Sequence, residues 1–185
     1  MILMTRIEVD IPEGISGDFE IAHYTNETTD NYWQEYLALK NENHDSYTVL
    51  LKDSVNTYMP IMQDSEAEYN AHQWLWDNAT GDVLIGGLGI GLVNEVLIDN
   101  DDITSVTIVE NSQDVIDLVW EHCAKDDRFT LIQEDLETWD IPIDSSWDIA
   151  WLDTWLTDNT LNMKEYNEAM NSKYSPYCNE IGIWI

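Results

Sequence analysis

The chain is poor in positive charge. Seven lysines and arginines stand against 37 aspartates and glutamates in 185 residues, a formal net charge of −30. Five lysines and two arginines, scattered along the sequence, cannot assemble a basic patch, so binding to a nucleic-acid backbone is not expected. Cysteine is also scarce. Cys123 and Cys178 cannot build a disulfide framework and read as ordinary reduced thiols. The four histidines, His23, His44, His72 and His122, are widely spaced with no His pair at i, i+4, and no metal site is expected from them. No apolar run approaches the ~20 residues of a membrane span. Met1 to Met4 is too short for a secretory apolar core, and Arg6 follows it instead of preceding it, so a cytoplasmic protein is expected. No Gly-x-Ser-x-Gly occurs, which removes the nucleophile-elbow hydrolases. Internal repeats and low-complexity segments are absent too. The acid excess fits a salt-adapted or very soluble surface, and it also permits cationic ligands or a basic protein partner.

What is present is a nucleotide-type βαβ pattern. Val83-Leu-Ile85 reads as a short strand buried on both faces. Gly86, Gly87, Gly89 and Gly91 follow within six positions, and Leu92, Val93, Val96 and Leu97 then recur at helical spacing. A second apolar strand, Val106-Thr-Ile-Val109, ends on Glu110, 19 positions after Gly91 against an expected gap of ~20. Glycines let the backbone turn tightly beneath a ligand, and an acid at the next strand end can accept from two ribose hydroxyls.

Length predicts one domain with a small appendage. We place a β-rich N-terminal extension at 1–63 and an α/β Rossmann-like, doubly wound parallel sheet of about five core strands at 64–185. In the extension, residues 4–24 predict two short strands broken by Pro12, Gly14 and Gly17. Asn26 to Asn43 offers a poor helical face, Tyr47 to Leu51 a strand, and Val55 to Met62 an edge strand interrupted by Pro60. Asp64-Ser65 is a candidate N-cap, with Glu66 and Glu68 in the first turn of a helix that continues through Tyr69, His72 and Trp76 to Ala79. Beyond Glu110, a helix over 112–125, a strand over 127–132, a strand over 147–152, a helix over 159–173 and a strand over 181–185 complete the alternation that specifies a parallel sheet. Ligands of such sheets bind beyond the carboxyl ends of the strands. Glu110, Asp135 and Asp153 each fall at such an end, beside the glycine bend, although in a protein with 37 acids any one of them can be a solvated side chain.

The stretches Val83 to Leu97, Val106 to Ile116, Asp127 to Leu136 and Trp147 to Asp153, with the helix entry Met62 to Tyr69, resemble class I S-adenosylmethionine-dependent methyltransferases. Within these they resemble the spermidine-synthase-like branch, and the short methyltransferase-like proteins carried by bacteriophages most. The resemblance covers roughly residues 50 to 185 and implies S-adenosylmethionine as cofactor. It would place Gly87, Gly89 and Gly91 under the methionine part and ribose, Glu110 on the ribose hydroxyls, Asp135 with Leu136 at the adenine, and Asp153 at the sulfonium or the acceptor amine as the catalytic residue. Tyr69 and Trp155 are candidate walls of the substrate pocket, or packing residues.

Two departures stand out. Aminopropyl-transferring enzymes carry an acid inside the glycine bend, where this chain has Gly89, and a further acid soon after the fourth strand, where the next acid here is Asp158. The sequence also stops at the fifth strand, where the resembled family continues to a sixth and seventh. The edge is then expected to be covered by the N-terminal strands or by another subunit, which favours a homo-oligomer. Three readings follow. One is methyl transfer to a small or cationic acceptor. Another is aminopropyl transfer from decarboxylated S-adenosylmethionine. The third is a non-catalytic acidic binder of a host protein.

Overall fold

The computed structural model describes residues 6–25, 31–42, 44–52, 60–154 and 163–184. Two sheets organise them. Residues of the N-terminal third form an antiparallel sheet of β1 (Gly14–Ser16), β2 (Phe19–Thr25), β3 (Ser46–Lys52) and β4 (Met62–Gln63), in that spatial order, with α1 (Asn31–Leu39) between β2 and β3. Ser16 pairs with Phe19, so the hairpin turns on Gly17-Asp18, and Gly17 takes the left-handed φ of 52° that such a turn asks of it. The expected strand through Ile7, Val9 and Ile11 does not form. Val9 and Ile11 are buried, but the Val9 N–H donates to the Asp64 carboxylate at 3.0 Å and the Val9 carbonyl accepts from Thr48 Oγ1, so side chains meet its backbone needs. The expected strand from Val55 falls mostly outside the described residues, and only Met62–Gln63 is seen paired.

Ser65 is the N-cap of α2 (Glu66–Ala71), its Oγ accepting from the Glu68 N–H at 3.1 Å. The long helix expected there is broken. At His72 (φ −91°, ψ 9°) α2 gives way to α3 (Gln73–Asn78). The cause is local competition: His72 Nδ1 donates to the Glu68 carbonyl at 2.9 Å, the acceptor its own backbone N–H would use in a continuous helix, and that N–H turns to Tyr69 O instead.

The second sheet holds β5 (Gly81–Gly86), β6 (Ile103–Glu110), β7 (Phe129–Gln133), β8 (Trp147–Leu152) and β9 (Cys178–Ile183) in the order β7-β6-β5-β8-β9, every pairing parallel. This is the doubly wound α/β arrangement that the alternating pattern predicts. α4 (Leu92–Leu97), α5 (Gln113–Val119) and α6 (Met163–Tyr174) connect the strands. Side chains of β5 alternate between two cores. Val83 and Ile85 join Leu92, Val93 and Val119, while Leu84 joins Leu152, Met170 and Tyr174 on the other face. α5 ends at Val119, six residues before the expected Lys125, and Lys125 Nζ reaches back to the carbonyls of Trp120 and Cys123.

The N-terminal strands do not extend the parallel sheet. Val9, Ile11, Ile21 and Leu50 share the cluster of Val83 and Ile85, and Ser16 Oγ donates to Asp114 at 2.8 Å at the start of α5. β9 therefore has no strand on its outer side among the described residues. No described helix is long and apolar enough to cross a membrane.

One buried carboxylate fastens the N-terminal segment. Asp64 is fully buried, and its oxygens accept from Arg6 Nη2 at 2.7 Å, Val9 N–H at 3.0 Å and Thr48 N–H at 2.9 Å. Removing one side of a buried ion pair strands the other charge, at about 3–5 kcal/mol. Asp64→Ala is expected to lose that much in urea unfolding at pH 7, and a loss below about 1 kcal/mol, the scale of a surface pair, would show that the segment is not held this way.

Candidate functional site

The carboxyl ends of β5, β6 and β8 and the wall of the N-terminal sheet enclose a cavity of about 570 Å³, within the ~300–1,000 Å³ usual for small-molecule sites. Its floor is the bend after β5. Gly87 (φ 96°) and Gly89 (φ 54°) are left-handed. A Cβ on Gly87 would stand 2.4 Å from the Asp153 carbonyl oxygen, and one on Gly89 2.0 Å from Met62 Sδ. Conformation and space both demand glycine, so the backbone meets the cavity bare. Gly91 behaves differently. It lies outside the lining, at the N-cap of α4, where the neighbour its Cβ would meet is Cys123.

Glu110 ends β6 beside that bend and is 8% exposed. Its Oε2 accepts from the Leu88 N–H at 2.9 Å and its Oε1 from the Ser112 N–H at 2.8 Å. Burial pushes its pKa up, and the backbone donors of Leu88, Ser112 and Asn111 pull it back. A carboxylate offers about four lone-pair sites, more than these backbone donors use, so acceptor capacity is left for a ligand.

Asp135 and Leu136 line the same cavity beyond β7. Asp135 Oδ1 accepts from the Glu137 N–H at 2.8 Å, which folds the chain over at the strand end. Leu136 is buried, and its carbonyl is held by Lys173 Nζ at 2.8 Å and Tyr174 Oη at 2.9 Å, both from α6. Asp153 follows β8. Its N–H donates to the Gly86 carbonyl at 3.0 Å, which sets its carboxylate at the cavity beside the glycine bend.

Tyr69 is not in the lining. It is 4% exposed and stacks on Trp76 with ring centroids 5.4 Å apart. The helical turn presents its neighbours Glu68 and His72, four residues apart and so on one face, to the cavity instead. Trp155 lies outside the described residues. The cavity also takes Phe19, Leu50 and Lys52 from the N-terminal strands and Trp151 and Trp184 from the parallel sheet region. The indole Nε1 atoms of both tryptophans are buried with no acceptor among the described residues.

Glu68 and His72 were not legible as site residues from a search for paired histidines. The usable signal was Glu68-x-x-x-His72 on a helix entering the glycine strand. His72 is 1% exposed, and its Nε2 stands 3.3 Å from Asp153 Oδ2. A carbonyl can only accept, so Nδ1, bonded to the Glu68 carbonyl, carries a proton. Burial works against charge on His72, but the Asp153 carboxylate and then Glu68 outweigh it and raise its pKa. Burial, reinforced by Asp153 and Glu42 and opposed by His72, pushes Glu68 up to about 7.

No protein-family model and no curated protein matches the chain. Among solved structures it is similar to the DhpI–SAH complex, at 21% identity over 64% of this chain and 56% of that one, TM-score 0.48. It is similar to the N-methyltransferase NodS from Bradyrhizobium japonicum WM9, at 10% identity over 60% and 62%, TM-score 0.46. It is also similar to spermidine synthase from Thermotoga maritima, at 16% identity over 76% and 46%, TM-score 0.45. The chain thus spans less than two thirds of each of these proteins.

The raised Glu68 pKa fixes a sign. The unfolded carboxyl titrates near 4.3 and the folded one near 7, so its stabilising contribution is complete below ~4.3 and is lost as pH rises through 7. Glu68→Gln, measured by urea unfolding in chelating buffer, should be more stable than the parent at pH 8 by about 1–3 kcal/mol, with the advantage gone at pH 4. A constant offset at both values would remove the cause assigned here.

Proposed function

We propose that this protein binds S-adenosylmethionine in the cavity over the glycine bend and transfers its methyl group to a small or cationic acceptor. The observation that carries the reading is one juxtaposition: the bare bend at Gly87 and Gly89 and the buried carboxylate of Glu110 face one cavity at the switch point between β5 and β8. The residues present fit such a group. Glu110 keeps acceptor capacity for ribose hydroxyls, and Asp135 beside Leu136 offers an acceptor and an apolar surface for adenine. Trp151 and Trp184 also line the cavity, and their indole donors are unpaired among the described residues.

Charge supports a cationic ligand. Among the described residues, Glu68, Glu110, Glu134, Asp135, Glu137 and Asp153 line the cavity, against Lys52 as the one lysine or arginine in its lining. A sulfonium 4 Å from a single carboxylate gains about 4 kcal/mol at an effective dielectric of 20, before desolvation is subtracted. The cofactor supplies the methyl donor. What the chain's own residues contribute is position, since methyl transfer needs the acceptor held in line more than it needs covalent help. Asp153, fixed through its N–H to Gly86 and through His72, is placed to orient or deprotonate an acceptor amine. The outer side of β9, unpaired among the described residues, favours a homo-oligomer within this reading.

Calorimetry with S-adenosylmethionine tests it. Binding is expected, and Glu110→Ala should weaken it by about 1.5–3 kcal/mol, the scale of a hydrogen bond to a charged group, with folding checked by urea unfolding. Unchanged affinity would remove Glu110 from the site, and no binding to the parent would leave the acidic-binder reading. Supplying decarboxylated S-adenosylmethionine with putrescine separates aminopropyl transfer, which Gly89 disfavours: spermidine as product would displace the methyl-transfer reading.

A further inference from the structure

We propose that Glu68, His72 and Asp153 form a site for a first-row divalent cation, of the Mn²⁺ or Zn²⁺ kind, at the rim of the cavity. The inference does not rest on the cofactor reading. One ligand-capable atom from each residue lies within 4.8 Å of those of the other two. They come from two elements, Glu68 and His72 from α2 and its C-cap and Asp153 from the tip of β8, so they converge in space and not by local crowding.

The histidine ring is held in the orientation a ligand needs. Its Nδ1 proton is committed to the Glu68 carbonyl at 2.9 Å. That leaves Nε2 as the ring atom that faces Asp153 Oδ2, 3.3 Å away. A proton bridges that contact in the metal-free chain, and a divalent ion bound there takes the proton's place. Ligand atoms each about 2.1 Å from one ion and about 3.3 Å from each other subtend roughly 100°, a normal angle between ligands of a tetrahedral or octahedral ion. A ring nitrogen that donates its other N–H to a backbone carbonyl is also the usual outer support of a metal-bound histidine.

The surroundings agree. Glu42, 5% exposed, spends its carboxylate on the N–H groups of Glu66 and Ala67 at 2.9 and 2.8 Å, and so positions α2 without competing as a ligand. Glu68 Oε1 stands 4.0 Å from His72 Nδ1 and the side chain is 20% exposed, so the carboxylate has room to rotate toward Nε2 when an ion binds. The Trp151 ring lies 5.4 Å from the His72 ring, and its buried N–H has no acceptor among the described residues. An ion carrying an oxygen ligand would bring an acceptor to that neighbourhood. Three protein ligands leave positions open toward the cavity, the arrangement of a catalytic ion and not of a closed structural one. One imidazole with two carboxylates suits manganese, iron or zinc better than magnesium or calcium.

The test uses the full chain after chelator treatment and buffer exchange. A surface of net charge −30 holds divalent ions diffusely, so the site must be told from that background. Calorimetric titration with Zn²⁺ and Mn²⁺ is expected to show one ion per chain bound above the diffuse phase. His72→Ala and Glu68→Gln should each weaken that binding at least ~10-fold, while Glu165→Gln, exposed on α6, leaves it unchanged. The Co²⁺-loaded parent should show an exchangeable imidazole N–H proton strongly shifted by the paramagnet, a readout that needs no variant to fold. Purely diffuse binding by the parent, affinity indifferent to both ligand substitutions, or no such shifted proton would each overturn the proposal. S-adenosylmethionine binding measured in chelator is scored separately, so either reading can fail alone.

Discussion

The carboxylate of Glu110 is the constraint on which the site depends. A chain that reverses over three left-handed glycines leaves backbone N–H groups pointing away from any helix or strand partner. Glu110 takes one from the bend, at Leu88, and one from the entry to α5, at Ser112. It thereby fixes the end of β6 to the floor laid by β5 and to the helix that follows. The cost is a buried charge, visible in the upward pressure on its pKa. The return is a bend stiff enough to present naked peptide to a ligand.

The parallel core was legible because its signals are local and agree with one another. Val83 to Ile85, Val106 to Val109 and Trp147 to Leu152 are short apolar runs, and each lies in a buried parallel strand. Ser65 announced the start of α2, and the glycines announced the bend. What escaped is what one side chain does to a distant or competing backbone group. Nothing in the periodicity around Tyr69 and Trp76 says that the His72 ring will take the carbonyl of Glu68 and break the helix. That break, together with the i, i+4 step, turns Glu68 and His72 to the cavity and Tyr69 to Trp76. Nor does the alternation of Ile7, Val9 and Ile11 reveal that Asp64, more than 50 positions later, will meet the backbone needs that a strand partner would have met.

The scarcity of cations sharpens how they are used. Arg6 is buried on Asp64, Lys125 closes the end of α5, and Lys173 grips the carbonyls of Leu136 and Glu137. Arg128 holds the carbonyls of Ile98 and Asn100. Each satisfies backbone oxygens or a buried acid that water would not reach as well. Few positive charges remain to neutralise the acids around the cavity, so its described lining carries an excess of negative charge.

The cavity wall from β2 and β3 is contributed by residues 30 or more positions before the bend it faces, and the two halves meet only when the N-terminal hairpin lies against α5. Any occupant that touches Phe19 or Lys52 as well as Gly87 is therefore a mortar between segments far apart in the sequence. Its affinity and the docking of the hairpin are one equilibrium seen from two ends. Loosening the hairpin must weaken the occupant, and the occupant in turn must slow the hairpin's departure.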